Sequence, residues 1–436
     1  MKHTLKLSIA TLSLVCASAY AQDATFDPRA LAMGGTGVTT SDNSNAVFHN
    51  AAMLASSKHD DSFSLETPII AVRLLDPQSL QNDTTTLSTN STNLSNALTA
   101  FQNAQTAYTN TPNVGTLSAL QVSAVQAGNR LNTFNNSLIG VSNKTLSGNA
   151  LLGMVLSIPS NRYAFSLYVD GRAELGAQFN YASADQVTVT ALANNLIACG
   201  NATLANCNAA NAQVGAGGKV NNLASTMSIR GVIAKDIGIA AARHFDNFYD
   251  LDIGIVPKFT QYSSYDFNQG AQGNTKITLN QGKKDFSAFS MDVGAAKTFQ
   301  READTQIKAG LAIKNLIPSR GTTALGNRIE AKPLATLGVS YETPKTTSGI
   351  DVDLTTNKAL MTGFSKDAQY VRLGAEFDAW RWAQIRIGYR HDIKGNYPGL
   401  PSIGLGLSPF GIHADLSVAA ASKKEAAISL QTGFRF

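Results

Sequence analysis

The sequence predicts an all-β chain with a helical insertion, closed as an antiparallel transmembrane β-barrel. Three observations carry this. From residue 148 onward, apolar and polar residues alternate with a period of two in run after run. No stretch beyond the first twenty residues is apolar over about 18 positions, the length a spanning helix needs. The final segment, Ala426 to Phe436, is itself such a run. Ile428, Leu430, Phe434 and Phe436 share one parity and Ser429, Gln431, Gly433 and Arg435 the other. Successive strand side chains point to opposite faces, so the segment has one apolar and one polar side. Its length matches the roughly 9–11 residues of a tilted bilayer crossing.

The composition agrees. Of 436 residues, 15% are charged and 44% hydrophobic, yet no segment is greasy throughout, so the apolar residues must be dispersed by alternation. The formal charge is +5, and +3 once Lys2 and Lys6 are set aside, which implies no nucleic-acid partner.

The N-terminus reads as a secretory signal over residues 1–21. Lys2 and Lys6 precede a short apolar run, Leu7 to Ala17, and Ala19-Tyr20-Ala21 is a small-x-small site, so cleavage is expected between Ala21 and Gln22. Cys16 follows Val15, where a lipoprotein signal wants a small residue. An exported chain without a helical anchor is periplasmic, secreted or an outer-membrane barrel.

Residues 22–60 contain Arg29-Ala30-Leu31-Ala32-Met33-Gly34-Gly35-Thr36-Gly37-Val38, then Asp42 to Ala55 with Asn50-Ala51-Ala52 near its end. The glycines fit neither GxGxxG nor GxxxxGK[ST]. The pattern resembles the N-terminal segment of FadL-like outer-membrane barrels, closest to the branch named after the conjugal transfer protein TraF. That resemblance implies a hatch folded into the lumen ahead of the first strand, with Asn50-Ala51-Ala52 standing where the family has Asn-Pro-Ala. Gly34, Gly35 and Gly37 would supply tight turns. Ala46 to Ala55 would form one short helix, and Asn50 would hydrogen-bond the lumen wall. The terminal strand likewise resembles the C-terminal strand of such barrels, whose closing aromatics, here Phe434 and Phe436, are read by the barrel assembly machinery.

Residues 61–436 are then the barrel. Ser62 to Val72 reads as a first strand, with Pro68 awkward in its middle. Asp76-Pro77 reads as a helix N-cap followed by Pro at the first helical position. Leu80, Leu87, Leu94, Phe101 and Tyr108 recur every seven residues, Thr111-Pro112-Asn113 breaks the run, and Leu117, Leu120, Ala124, Ala127, Leu131 and Phe134 resume it. Residues 76–136 are therefore an inserted antiparallel helical hairpin. It is rich in Asn, Thr and Ser, and only Asp83 and Arg130 carry charge between Pro77 and Phe134. With an even strand number and a periplasmic C-terminus, the hairpin falls at the outer mouth.

In the strand runs Gly recurs on the polar parity, where a crowded lumen needs room. Arg372, Glu376, Asp378, Arg386 and Arg390 share that parity and form a ladder of charges in a wet lumen. Trp380, Trp382 and Tyr389 sit near strand ends, as interface aromatics do. Residues 183–222, Ala- and Asn-rich, read as a long outer loop stapled by a Cys199–Cys207 disulfide. The strand count falls between 12 and 16, and the resemblance implies 14.

Nothing in the sequence points to catalysis, a cofactor or a metal. The six histidines are scattered, and His413, near Asp415, reads as a solvated lumen residue. A membrane lipid hydrolase would need a nucleophile elbow that is not there. The expectation is a Gram-negative outer-membrane barrel surrounded by lipid. It would pass a small, hydrophobic ligand, serve a conjugal-transfer-type envelope assembly, or act as a scaffold or adhesin through its helical hairpin.

Overall fold

A computed structural model of the chain describes residues 27–56, 63–76, 78–160, 163–201, 224–270, 280–302, 304–360, 365–378, 380, 382–422 and 424–436. The expected signal, its Ala21/Gln22 cleavage site and Cys207 lie outside them.

Fourteen antiparallel strands close into a barrel. They are β1 (Ser64–Leu75), β2 (Thr145–Ile158), β3 (Ala164–Asn180), β4 (Thr226–Phe245), β5 (Leu251–Gly270), β6 (Lys283–Glu302) and β7 (Thr305–Lys314). After a small separate hairpin, β8 (Ser319–Thr322) and β9 (Arg328–Ala331), come β10 (Leu334–Glu342), β11 (Thr346–Asp353), β12 (Tyr370–Asp378), β13 (Ala383–Asp392), β14 (Leu400–Leu407), β15 (Ile412–Ala421) and β16 (Glu425–Arg435). The seam is β1 against β16, with Ser64 opposite Arg435 and Val72 opposite Ile428. Thr67 and Pro68 drop out of both of β1's ladders as a bulge, the arrangement that lets a strand carry a proline without a donor.

The alternation holds around the ring. Leu152, Ile239, Leu373, Ile387, Leu405 and Leu430 are exposed on the outside. Their polar neighbours point inward and are buried, because the lumen is filled. Antiparallel order with an even strand number brings both chain ends to one end of the barrel, here called the base. The opposite end, the mouth, carries the long insertions.

At the mouth stand α3 (Leu80–Asn110) and α4 (Val114–Val141) between β1 and β2, and α5 (Ser183–Asn201) between β3 and β4. The hairpin starts later than its proline suggested. The helix begins at Leu80, while the Asp76 carboxylate still accepts from the amides of Leu80 (2.6 Å) and Gln81 (2.8 Å). Asn113 caps α4 through a reciprocal bond with Thr116.

Residues 183–201 are not the expected loop. They form a 19-residue helix whose Val189, Leu192, Ala193, Leu196 and Cys199 complete an apolar core with Phe101, Leu120 and Leu131 of the hairpin. The spacing of those five is that of one helix face, and the core they close overrides the mediocre propensity of the surrounding Asn and Thr.

Candidate functional site

The site is the barrel interior, and residues 27–56 occupy it. This hatch is not one helix but a coil of short turns: α1 (Pro28–Ala32), α2 (Ala46–His49) and a 3-10 turn over Ala51–Leu54. The break falls at Asn50, whose extended backbone cannot continue a helix. Asp27 organises the start. Its carboxylate caps α1 at the Ala30 amide (3.0 Å), accepts from Asn45 Nδ2 (2.7 Å) and meets His49 Nε2 at 2.6 Å. Burial alone would push its pKa up, but these partners, His49 first, hold it below the ordinary carboxylate value.

Gly34 and Gly35 follow α1 at φ +70° and +92°, a region side chains rarely adopt. A Cβ on Gly34 would also lie 2.5 Å from the backbone nitrogen of Tyr389 in the wall. The amides of Gly37 and Val38 donate to one Asp351 oxygen, at 2.8 and 3.0 Å. Asn50 Nδ2 donates to Val38 O (2.9 Å) within the hatch and to Ala295 O (3.2 Å) on β6, while its Oδ1 accepts from Ala52 N. One amide thus folds the hatch on itself and ties it to the wall.

The wall is shaped for this. Gly254 and Gly294, Gly310 and Gly338, and Gly374 and Gly388 are cross-strand pairs on the luminal face. Each lies against the hatch so closely that a Cβ would sit within 3.0 Å of it. Gly349 and Gly404 extend the seat, so eight consecutive strands, β5 to β14 without the side hairpin, each contribute one glycine.

Opposite halves of the lumen hold the hatch by different means. Towards β1–β6 the contact is apolar: Val47, Phe48, Met53 and Leu54 pack with Ile69, Leu151, Val155 and Tyr168, the two rings edge to face at 5.5 Å. Towards β12–β16 it is ionic. Arg29 bridges Asp42 (2.8 Å) and Glu376 (2.9 Å); Arg386 bridges Glu376 (2.5 Å) and Asp415 (2.5 Å). His413 Nε2 lies 3.2 Å from both Asp415 and Glu66. Arg435 links Glu66 (3.5 Å) back to Asp42 (3.2 Å).

These eight side chains form a closed ring. Four carboxylates alternate with three guanidiniums and one imidazole, crossing the β1–β16 seam and including two hatch residues. Burial alone would raise Asp42, but Arg435 and Arg29 hold it well below the ordinary carboxylate range. His413 is 3% exposed and lies between two carboxylates, so it is not the solvated histidine expected.

Nearer the mouth, Arg73 and Arg390 share Glu425 (2.7 and 2.6 Å), and Arg372 pairs with Asp353 (2.6 Å). Arg372, Arg386 and Arg390 are therefore buried partners in a packed interior and not a ladder in water. Of the five charges singled out, only Asp378 stays outside these networks, half-buried and accepting from Gln384 Nε2 at 3.3 Å. Sequence reasoning missed Arg29, Asp42, Glu66 and Arg435. A charge on the polar parity of the first and last strands was the available signal for the latter two. Phe434 and Phe436 lie exposed at the base, and Cys199 is buried in the helical core.

A closed strand ring of the outer-membrane type, plugged by its own N-terminal segment, defines the class of protein. Residues 47–353, more than two-thirds of the chain, match the family model described as "F plasmid transfer operon, TraF, protein", and the chain belongs to that family. No curated protein matches it. Among solved structures it is similar to the P. putida toluene transporter TodX, at 9% identity over 96% of this chain and 99% of that one, TM-score 0.48. It is also similar to a Pseudomonas aeruginosa FadL homologue, at 10% identity over 94% and 98%, TM-score 0.49. The ring of strands itself, more than these likenesses, defines the barrel.

Proposed function

We propose that the chain is an outer-membrane channel for small molecules, with the hatch as its gate. One observation carries the reading: a barrel too wide to be filled by its own side chains is closed by its own N-terminal segment, held through ion pairs and hydrogen bonds on one side and apolar packing on the other. A membrane anchor alone needs only a narrow barrel, which about eight strands already fill. Fourteen strands with a fitted seat of glycines make sense if the space is used.

The solute we favour is small and hydrophobic. Above the hatch, towards the mouth, Val232, Tyr262 and Phe286 line the lumen and pack with Ile329 of the β8–β9 hairpin and with Leu360. Tyr262 and Phe286 stack at 4.6 Å. An apolar patch on the mouth side of the hatch favours an apolar guest. The test is uptake of an apolar dye into liposomes carrying the purified chain. Entry should fall at least several-fold when Val232→Asp and Phe286→Asp are combined. Unchanged entry rejects the hydrophobic solute.

A second reading rests on the helical hairpin. α3 alone is about 46 Å long at 1.5 Å per residue, with a nearly uncharged Asn/Thr/Ser surface. A scaffold would lose a partner on deletion of residues 77–134 while passage through the barrel persisted.

A further inference from the structure

We infer that the outer wall at the foot of β3–β6 binds the phosphate of an anionic phospholipid headgroup. This rests on the reading that the barrel lies in a bilayer and adds to it a lipid class and two residues.

Odd-numbered residues of β4 and β6 face outward: Ile237 and Ile239 on one strand, Phe289 and Phe299 on the other, are exposed. The same parity at the base puts Arg243 and Lys297 on that outer surface. They flank β5. Arg243 is in register with Ile253 of β5, Ile253 is in register with Ala295 of β6, and Lys297 lies two residues further towards the base. Two strand spacings separate them laterally by about 10 Å, a gap two long side chains can close on one phosphate.

Their surroundings are those of a headgroup level. The Arg243 guanidinium lies 4.9 Å from the ring centres of both Tyr163 and Phe245. Lys297 Nζ lies 5.5 Å from the Phe299 ring and donates to Tyr249 O at 2.5 Å. Stacked Trp380 and Trp382, and Phe436, mark the same end of the barrel.

The acids of the neighbouring turn are engaged elsewhere. Asp246 and Asp250 each lie 3.2 Å from His244, and Asp252 lies 2.8 Å from it, on the inward parity. Among the described residues neither Arg243 nor Lys297 has a carboxylate at ion-pair distance. The strand ends thus set Asp252 and His244 inside and the two cations outside, while Asp246 and Asp250 stay exposed in the turn against His244. Cations facing hydrocarbon are costly unless they meet an anion at the interface. A phospholipid supplies that anion together with acyl chains for the adjacent rings, whereas a free anion engages only the cations.

The test uses the full chain in an uncharged detergent, with native mass spectrometry after adding phosphatidylglycerol or phosphatidylcholine of identical acyl chains. The wild type should retain phosphatidylglycerol at least ten-fold more strongly than Arg243→Gln/Lys297→Gln, with phosphatidylcholine indifferent. Lys345→Gln, at another turn of the base, should behave as wild type. Equal retention by two heat-modifiable, folded proteins overturns the site alone. Full displacement of the lipid by an equal concentration of inorganic phosphate overturns the lipid assignment. A chain that is soluble without detergent and takes up no lipid sinks the membrane reading and the site with it.

Discussion

Gly388→Ala isolates the seat of the hatch from everything else in the barrel. Gly388 has an ordinary strand conformation, so alanine costs nothing in the backbone. The new methyl would lie 1.9 Å from the Gly34 nitrogen and 2.2 Å from the Met33 carbonyl carbon, where ordinary contact begins at 3.4 Å. The hatch backbone must retreat by about 1.5 Å, the difference between those distances. Both near atoms are main chain, so no flexible side chain can absorb the shift. Overpacking of this kind costs about 1–3 kcal/mol. At about 1.4 kcal/mol per decade, the undocked fraction of the hatch should rise roughly five- to 150-fold.

The assay is thiol labelling of Ser41→Cys, a near-isosteric probe at a hatch position only 7% exposed, read by peptide mass spectrometry. Labelling should speed up by that factor in the Gly388→Ala background, while heat-modifiable migration of the barrel persists. Gly140→Ala on α4, where nothing lies within 4 Å, should leave it unchanged. Equal labelling with and without Gly388→Ala would refute the steric seat.

Asp42→Asn removes one carboxylate from the buried ring and leaves Arg29 and Arg435 with one carboxylate each, Glu376 and Glu66. Breaking a buried pair costs about 3–5 kcal/mol, and faster Ser41→Cys labelling should report it. The pH dependence has a fixed sign. Docked Asp42 has a pKa below its ordinary 3.8, so the undocked hatch takes up the proton first as pH falls. The Asp42 contribution to docking should therefore be undiminished above about pH 4 and be lost as acid carries the carboxylate through its lowered value, with Asp42→Asn removing that component. Cys199 and Cys207 are expected to form a bridge, checked by non-reducing peptide mapping; recovery of two alkylated thiols contradicts it. Replacing Phe434 and Phe436 by Ser should lower the yield of heat-modifiable barrel in the outer-membrane fraction several-fold, with the unfolded chain accumulating instead.

The barrel was legible because a half-buried strand has a period of two, which survives in any window of eight residues. Leu373, Ile387 and Leu430 announce an apolar outer face without reference to anything distant. The luminal glycines were legible as a demand for space, but not as a seat, because what fills the space comes from residues 27–56. Helix α5 was hidden by its Ala/Asn-rich flanks, although Val189, Leu192, Leu196 and Cys199 carry a helical spacing. The ion-pair ring could not be read locally. Arg29 and Glu376 are 347 residues apart, and only closure of β1 on β16 brings Glu66 to Arg435. The expectation of a wet lumen failed for the same reason: a pattern reports which face a charge is on, not whether that face meets water.

Conductance across a planar bilayer tests the central claim most directly, comparing the full chain with one lacking residues 27–56. If the hatch closes a passage, the full chain is nearly silent and the shortened chain shows stable, wide-pore steps. Equal conductance from the two, or silence from both once each is shown to be a folded barrel, contradicts the account.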